Sequence, residues 1–288
     1  MAKSNDQLDP VRFFEAKLLL KPDRVLSLEG FHDFGSMARR TAESLRVDYL
    51  EDAAALRAPG VREIVFIDTP EFDLYKRGFI LRRRVSYVDG FPAGEPEIVF
   101  KYRYRDQQRA AAVDVRPRIS GKYRVKLKAQ ALPLKDEIGG YRMLYSHNCI
   151  FGISQTHETD RTAMSTLTRV FPVLNVLKKP SAERVQLVNG GIVEELLLPL
   201  GKLDFGKGLV AKSSVSLWRT RGEHVPLVGE YSFRAKFDHV EDVSPKAKKL
   251  LTQFFVKLQH DVKNWVAIGA TKTGLVYGLN GKAPEREG

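Results

Sequence analysis

Cysteine and long apolar runs are nearly absent from this sequence. Cys149 is the single cysteine among 288 residues, so the chain forms no internal disulfide and no cysteine-based zinc cluster. No run of about 18 apolar residues is present, so we expect no membrane-spanning helix and no membrane partner. Residues 1–10 are polar and have no apolar core of a secretion signal, and we therefore expect a cytoplasmic protein.

Several common catalytic patterns are also missing. The glycines and lysines of residues 201–208 lack the spacing and the following helix of a phosphate-binding P-loop, so we interpret this segment as a turn. His147 and His157 have no carboxylate or third ligand at metal-binding spacing, which favours ordinary surface or core positions over a role in a site. No Rossmann glycine pattern and no Ser-His-Asp arrangement stands out, so these enzyme classes are not indicated.

Acidic residues are outnumbered by basic ones. The chain has 47 Lys and Arg against 35 Asp and Glu, which gives a net charge of +12. Such an excess favours anionic partners such as phosphates or nucleic acid. The alternative is a generally basic surface without a specific partner, and the placement of the charges has to decide between the two.

Lysine and arginine recur at every second position in four segments. Residues i and i+2 of a strand share a face, so each segment has a basic face opposite an apolar or aromatic one. Any one of these faces fits an ordinary solvated sheet. Solvated faces normally mix both signs of charge, however, so four rows of one sign predict a shared concave surface that receives a polyanion. The rows are Arg82 and Arg84; Lys101, Arg103 and Arg105; Lys122, Arg124, Lys126 and Lys128; and Arg234 and Lys236.

Hydrophobic periodicity predicts roughly eight to ten strands with a few helices. We expect a single domain over residues 11–280, between disordered segments at 1–10 and 281–288. The mixture of hairpins and helices predicts an α+β fold with a largely antiparallel sheet, and a closed barrel of about eight strands has room inside for a ligand. Strands are predicted at residues 11–20, 61–68, 78–87, 97–105, 122–132, 210–221 and 227–237, with two short ones in 185–200 and a possible one at 113–119; helices are predicted at 34–57, 162–178 and 244–266.

Five segments resemble the motifs of the CYTH, or triphosphate tunnel metalloenzyme, superfamily. Residues 66–70 (FIDTP) and 78–84 (GFILRRR) resemble its central signature, an aromatic-x-Asp-Thr segment followed by Leu-Arg-x-Arg. Residues 99–103 (VFKYR) resemble the lysine-bearing strand that follows. Residues 13–17 (FFEAK) and 230–232 (EYS) resemble the N-terminal Glu-x-Glu-x-Lys motif and the late Glu-x-Glu strand.

This resemblance implies an antiparallel eight-stranded β-barrel, or tunnel, with helices packed outside. Members bind a triphosphate group with inward lysines and arginines, and divalent metals with inward glutamates and aspartates. Most cleave a phosphoanhydride, as inorganic, thiamine and RNA triphosphatases do, while others cyclise ATP or polymerise polyphosphate. The chain departs from the motifs at Phe13 and Ser232, where the family has glutamates, and shows no carboxylate near Trp218.

The site expected from these motifs combines cations with a few carboxylates. Lys17, Arg82 and Lys101 are the expected catalytic residues. Glu15, Glu230 and Glu97 are the expected ligands for Mg²⁺ or Mn²⁺, since hard divalent cations require several oxygen ligands. The expected phosphate ligands are Lys17, Arg82, Arg84, Lys101, Arg103, Arg105, Arg124, Lys126, Lys128, Arg234 and Lys236.

Two hypotheses follow. The first is a metal-dependent triphosphatase that acts on a triphosphate-containing small molecule or on inorganic polyphosphate. The second, motivated by the two missing glutamates, is a polyphosphate or nucleotide binder without hydrolysis, or a polyphosphate polymerase-like protein. Nucleic-acid binding ranks third, because the aromatic residues lie on the strand faces opposite the basic ones and cannot stack bases beside them. The oligomeric state stays open.

Overall fold

The computed structural model describes residues 8–51, 56, 58–156 and 160–286, and all elements below lie in these ranges. The strands are β1 Val11–Leu20, β2 Asp48–Glu51, β3 Gly60–Asp68, β4 Phe79–Val88, β5 Phe91–Tyr104, β6 Arg124–Pro133, β7 Tyr141–Gly152, β8 Gln186–Leu187, β9 Val193–Asp204, β10 Val210–Thr220 and β11 Pro226–Lys236. The helices are α1 Leu28–Ser44, α2 Asp73–Lys76, α3 Gln107–Ala112, α4 Met164–Val170, α5 Pro245–Asp261 and α6 Lys272–Tyr277.

Nine of the described strands close into a barrel. Their order is β9, β10, β11, β1, β6, β7, β5, β4 and β3, and β3 pairs again with β9. The short strands β2 and β8 extend from β9 and β3 and take no part in the closure. This confirms the predicted α+β barrel with helices around it.

The strand count and one pairing differ from the prediction. The extra strand is β7, which falls in a stretch where the sequence shows no clear period. A closed barrel in which every strand is antiparallel to both neighbours needs an even number of strands. A barrel of nine strands must therefore contain at least one parallel pair. That pair is β1 with β6, in which Phe13 lies beside Lys128, and all other neighbours in the ring are antiparallel.

Helices cover the outer face of the barrel on two sides. Residues of α1 and α5, such as Phe34 and Phe254, pack on the outward side chains of β1, β9, β10 and β11. On another side, α4 packs on the outward side chains of β4, β5 and β7, among them Phe100. The aromatic faces of the predicted rows therefore form core, and the basic faces point inward. None of the described helices combines the length and the apolarity needed to cross a bilayer.

The short helix α6 lies inside one end of the barrel. Its Tyr277 meets the ring of Phe66 from β3 at a centroid distance of 6.1 Å, and Phe66 in turn contacts the ring of Trp218 from β10. These side chains belong to one buried apolar cluster with Val276 and the inward Ile80. The interior of the barrel is thus apolar where α6 fills it and charged beyond that point.

The predicted helices are displaced or shortened. The helix predicted at residues 34–57 begins at Leu28, because Ser27 accepts a hydrogen bond from the Gly30 N–H and caps it, and it ends at Ser44 before β2; residues 52–55 and 57 lie outside the described part. The helix predicted at 162–178 stops at Val170 and continues after Pro172 as a 3-10 turn, since proline removes a helical hydrogen bond. No strand forms at 113–119, and the last predicted helix ends at Asp261 instead of residue 266.

Candidate functional site

The charged part of the barrel interior encloses a cavity of about 360 Å³, called the basic cavity below. Its size falls in the range of about 300–1,000 Å³ that is usual for small-molecule sites. Ten basic side chains and three glutamates of the described residues line it. They are Lys17, Arg62, Arg82, Arg84, Lys101, Arg103, Lys128, Lys212, Arg234 and Lys272, with Glu15, Glu195 and Glu230.

Most of the residues expected from the sequence lie around this cavity. Seven of the expected phosphate ligands and two of the expected metal ligands are in its lining, because alternate residues of β1, β4, β5, β6 and β11 face the barrel interior. They are Lys17, Arg82, Arg84, Lys101, Arg103, Lys128 and Arg234, with Glu15 and Glu230.

The four remaining expected phosphate ligands lie at or near strand ends and outside the lining of the cavity. Arg105 is exposed because β5 ends at Tyr104, one residue before it. Arg124 and Lys236 are exposed as the first residue of β6 and the last of β11. Lys126 is half-buried, with its ammonium 5.0 Å from the centre of the Phe13 ring.

Three cations of the basic cavity, two of them buried and one half-buried, have no side-chain partner among the described residues. Lys101 and Arg103 are each 8% exposed, and neither they nor Arg82 makes an ion pair or a side-chain hydrogen bond with a described residue. The Nε atoms of Arg82 and Arg103 are buried and unbonded. Burial, reinforced by neighbouring cations, lowers the pKa of Lys101 well below its usual value and that of Arg82 to about 9. Unpaired buried charges cost several kcal/mol each, so this arrangement favours an anion among them.

Glu15 lies among basic partners on the adjoining wall. Its Oε2 accepts a hydrogen bond from Gln130 Nε2 at 2.6 Å and lies 3.3 Å from Lys17 Nζ and 3.9 Å from Lys128 Nζ. Burial raises the pKa of Glu15, but Lys17 and Lys128 outweigh it, and the net pKa is well below the usual value. Burial lowers the pKa of Lys128 to about 8. The negative charge of Glu15 is therefore compensated by Lys17 and Lys128.

A second group of charges lies where α6 meets the cavity. Lys272 Nζ lies 2.9 Å from Glu230 Oε1 and 3.3 Å from Glu195 Oε1. Arg62 Nε donates to Glu195 Oε2 at 2.9 Å, and Trp218 Nε1 donates to Glu195 Oε1 at 2.8 Å. Burial raises the pKa of Glu195, but Lys272 and Arg62 outweigh it and hold the pKa far below its usual value. The carboxylate near Trp218 that the sequence seemed to lack is Glu195, from the adjacent strand.

Sequence reasoning missed four charged residues of this lining. Arg62 and Lys212 each lie on a predicted strand, but as single cations they form no row. Glu195 lies in a strand of leucines, and the sequence pattern in residues 185–200 predicted two short strands instead of the long β9. Lys272 follows the last predicted helix and carries no signal in the sequence. A search for a single cation at an inward-facing position of each predicted strand would have found Arg62 and Lys212.

The carboxylates of the basic cavity do not fit a protein-held divalent metal. Glu230 is bonded to Lys272, and Glu15 to Lys17 and Lys128. Glu97 lies outside the cavity lining, with its carboxylate 2.8 Å from Arg84 and 2.9 Å from Arg124. The three expected metal ligands are thus each engaged by a different cation, and they form no converging group among the described residues.

Within the described part of the chain, one group of three carboxylates does have converging ligand atoms. It consists of Glu71, Asp73 and Glu183, and none of the three lines the basic cavity. Lys179 Nζ lies among them, 2.7 Å from Asp73 and 3.3 Å from Glu183. Lys179 offsets one of the three negative charges of this partly exposed group.

The two histidines lie outside the site as far as the structure describes them. His147 is buried, with Nδ1 at 2.9 Å from the Val113 carbonyl and Nε2 at 3.0 Å from Asp9 Oδ2. His147 therefore ties a loop to the outer face of β7. His157 lies outside the described residues.

The chain is similar to several solved structures at low sequence identity. No family model matches it, and no curated protein matches it in sequence. A candidate adenylyl cyclase from Hippeastrum, described as having a dominant triphosphatase activity, matches with 14% identity and a TM-score of 0.43 over 95% of this chain and 98% of that one. Candidate adenylate cyclases from Bacillus halodurans (10% identity, TM-score 0.37, 86% and 91%) and Vibrio parahaemolyticus (12%, 0.37, 93% and 99%) also match.

All three matches span most of this chain and most of the matched chain. Identities of 10–14% and TM-scores below 0.5 nevertheless assign neither a family nor an activity to this chain. Its chemistry therefore has to follow from its own residues.

Proposed function

We propose that the basic cavity binds the triphosphate part of a small molecule, or inorganic polyphosphate, and that the chain hydrolyses a phosphoanhydride bond of this ligand. The observation that carries the proposal is the set of cations without a side-chain partner among the described residues, namely the buried Lys101 and Arg103 and the half-buried Arg82. Phosphate oxygens supply charge and hydrogen-bond acceptors to such groups at the same time, and arginine binds them with two parallel hydrogen bonds.

The same cations are suited to accelerate phosphoryl transfer. This reaction depends mainly on positioning and on stabilising the charge that develops on the phosphate oxygens. Lys17, Arg82 and Lys101 all line the basic cavity, so a triphosphate bound there would lie among the three. The resemblance implies Mg²⁺ or Mn²⁺, but the glutamates that would hold it are engaged with lysines or arginines, so we assign this stabilisation to the basic side chains.

A second candidate function is binding without hydrolysis, as in a polyphosphate or nucleotide sensor. The observation in its favour is that Glu15, Glu195 and Glu230 are each bonded to lysine or arginine. Hydrolysis requires a group that positions or deprotonates the attacking water. A carboxylate held by one or two cations is a poor base, so a ligand would bind here and remain intact.

Nucleic acid is a poor fit to this site. Single-stranded nucleic acid is bound by aromatic rings that stack on bases beside a basic groove. Here the aromatic neighbours of the basic rows, such as Phe100 and Tyr102, are buried in the core on the outer face of the barrel. They are not available for stacking beside the basic cavity.

Thermal melting and phosphate release together test the proposal. The protein is melted with tripolyphosphate, ATP and thiamine triphosphate, with EDTA or with Mg²⁺ or Mn²⁺, and free phosphate is measured in parallel. A raised melting temperature with phosphate release supports hydrolysis, and a raised melting temperature without release supports the sensor. No shift with any of the three compounds would reject both.

A further inference from the structure

Lys272, the first residue of α6, extends its side chain into the basic cavity between two glutamates from different strands. Its ammonium lies 2.9 Å from Glu230 Oε1, 3.3 Å from Glu195 Oε1 and 4.4 Å from the centre of the Trp218 ring. The side chain is 13% exposed, and those of Glu195 and Glu230 are 4% and 8% exposed. The three charges therefore interact with little screening by solvent.

Both ends of α6 hold Lys272 in this position. Thr271 caps the N-terminus by accepting a hydrogen bond from the Gly274 N–H at 3.0 Å. At the C-terminus, Asn189 Nδ2 donates to the carbonyls of Val276 and Tyr277 at 2.9 and 3.1 Å. These contacts hold the backbone of α6, so the fold keeps Lys272 beside the basic cavity.

The two glutamates depend on this ammonium to different degrees. Glu195 also accepts hydrogen bonds from Arg62 and Trp218. Glu230 has no ion-pair partner other than Lys272 among the described residues. Two carboxylates that approach each other in a buried site repel unless a cation lies between them, and the position between them is the one that a divalent ion would take.

We propose that Lys272 is a resident cation that takes the place of a divalent metal between Glu195 and Glu230, so that the cavity binds a polyphosphate group without a protein-held metal. The exclusion of metal follows from the chain alone, whereas the polyphosphate part rests on the proposed function. An ammonium supplies one positive charge and three donors, which matches the acceptors that Glu195 and Glu230 direct toward it.

The substitution Lys272→Met tests this inference, because it removes the ammonium and keeps most of the apolar stem. Without the ammonium, the carboxylates of Glu195 and Glu230 face each other with no cation between them. The variant is therefore expected to gain one Mn²⁺ site, which binds Mn²⁺ about tenfold or more tightly than any site of the unchanged protein. Free Mn²⁺ is measured by its electron paramagnetic resonance signal during titration. The unchanged protein gives the background from the surface group Glu71, Asp73 and Glu183.

Three control variants make the result specific. Lys272→Arg keeps a cation in place and is expected to gain no site. Lys257→Met removes a lysine from the exposed pair with Asp261 and is also expected to gain none. Lys272→Met combined with Glu230→Gln removes one ligand and is expected to lose the gained site. Equal Mn²⁺ binding by the unchanged protein and Lys272→Met would overturn the inference.

Two further measurements distinguish the role of Lys272 from effects on folding and on ligand binding. If Lys272→Met is unfolded in EDTA, recovery of folded protein by Mn²⁺ supports the inference, and failure to recover contradicts it. Tripolyphosphate binding by the unchanged protein in EDTA is measured independently by calorimetry. Binding that requires Mn²⁺ contradicts the inference, whereas the absence of binding under all conditions rejects the proposed function and leaves the Mn²⁺ titration to decide the role of Lys272.

Discussion

The hydroxyl of Tyr277 donates a hydrogen bond to Asp68 Oδ2 at 2.9 Å, across 209 positions of sequence. Both residues are buried. Asp68 ends β3 and also accepts hydrogen bonds from the N–H groups of Leu74 and Tyr75. The bond fastens α6 to the barrel wall, and α6 in turn carries Lys272 into the basic cavity.

Loss of this hydrogen bond is expected to weaken the fold. Tyr277→Phe keeps the ring but leaves Asp68 with one donor fewer, and we expect the free energy of unfolding to fall by about 1.5–3 kcal/mol. Urea denaturation measures it. Tyr75→Phe is the matched control, since this ring stacks on Tyr277 at 4.1 Å and its hydroxyl makes no hydrogen bond with a described residue. Equal losses in both variants would show that the hydrogen bond to Asp68 makes no specific contribution to the stability of the fold.

Lys101→Met is expected to change stability and binding in opposite directions. The variant removes a buried cation without a partner, so the ligand-free protein should gain about 1–4 kcal/mol in the free energy of unfolding. It also removes a charged donor to phosphate, so tripolyphosphate should bind about tenfold more weakly or worse.

The control for this experiment is Arg105→Met on the same segment. Arg105 is exposed just beyond the end of β5, so neither stability nor tripolyphosphate affinity should change. Denaturation and calorimetry measure the two quantities. A Lys101→Met variant that is destabilised and retains its affinity for tripolyphosphate would mean that Lys101 has a structural partner instead of a ligand.

The stability of the ligand-free protein is expected to rise with pH in the alkaline range. Burial lowers the pKa of Lys128 to about 8 and that of Lys101 well below its usual value, whereas an unfolded lysine titrates near about 10.4. Between about pH 8 and 10.4 the unfolded chain therefore binds more protons than the folded chain, and the penalty of burying these lysines is relieved as pH rises.

A bound phosphate chain should reverse this pH dependence. It favours the protonated lysines, so tripolyphosphate should raise the melting temperature more near about pH 7 than near about pH 9.5. Melting curves with and without tripolyphosphate at both pH values measure the difference. A shift as large at the higher pH would argue that Lys101 and Lys128 do not contact the ligand.

Glu15→Gln is expected to destabilise the ligand-free protein and to tighten anion binding. The variant leaves Lys17 and Lys128 without their carboxylate, and breaking a buried ion pair costs about 3–5 kcal/mol. The cavity also becomes more positive, so tripolyphosphate should bind more tightly. Glu97→Gln is the control, because its half-exposed pairs with Arg84 and Arg124 are worth about 0–1 kcal/mol. Weaker tripolyphosphate binding by Glu15→Gln would indicate that Glu15 contacts the bound tripolyphosphate directly.

The basic cavity was predictable where the sequence repeats. Arg82, Arg84, Lys101 and Arg103 occur at alternate positions, and alternation alone places them on one face of their strands. The strand ends were not predictable, because a row of alternating residues does not show where it leaves the barrel. Arg105 and Arg124 continue their rows and yet lie in solvent.

The contacts of Lys272 illustrate what sequence reasoning cannot reach. Its partners Glu195 and Glu230 lie 77 and 42 positions away, on the strands β9 and β11. Their meeting depends on the closure of the barrel and on the entry of α6 into it. Both are consequences of packing in three dimensions, to which the apolar residues Phe66, Trp218 and Tyr277 contribute.

A crystal structure of the protein grown with tripolyphosphate and EDTA tests the central claim most directly. The account predicts density for the phosphate chain inside the basic cavity, with oxygens within hydrogen-bond distance of Arg82, Lys101 and Arg103. A cavity that stays free of phosphate at saturating tripolyphosphate, or a chain bound on the outer surface beside Arg105 or Arg124, would contradict it.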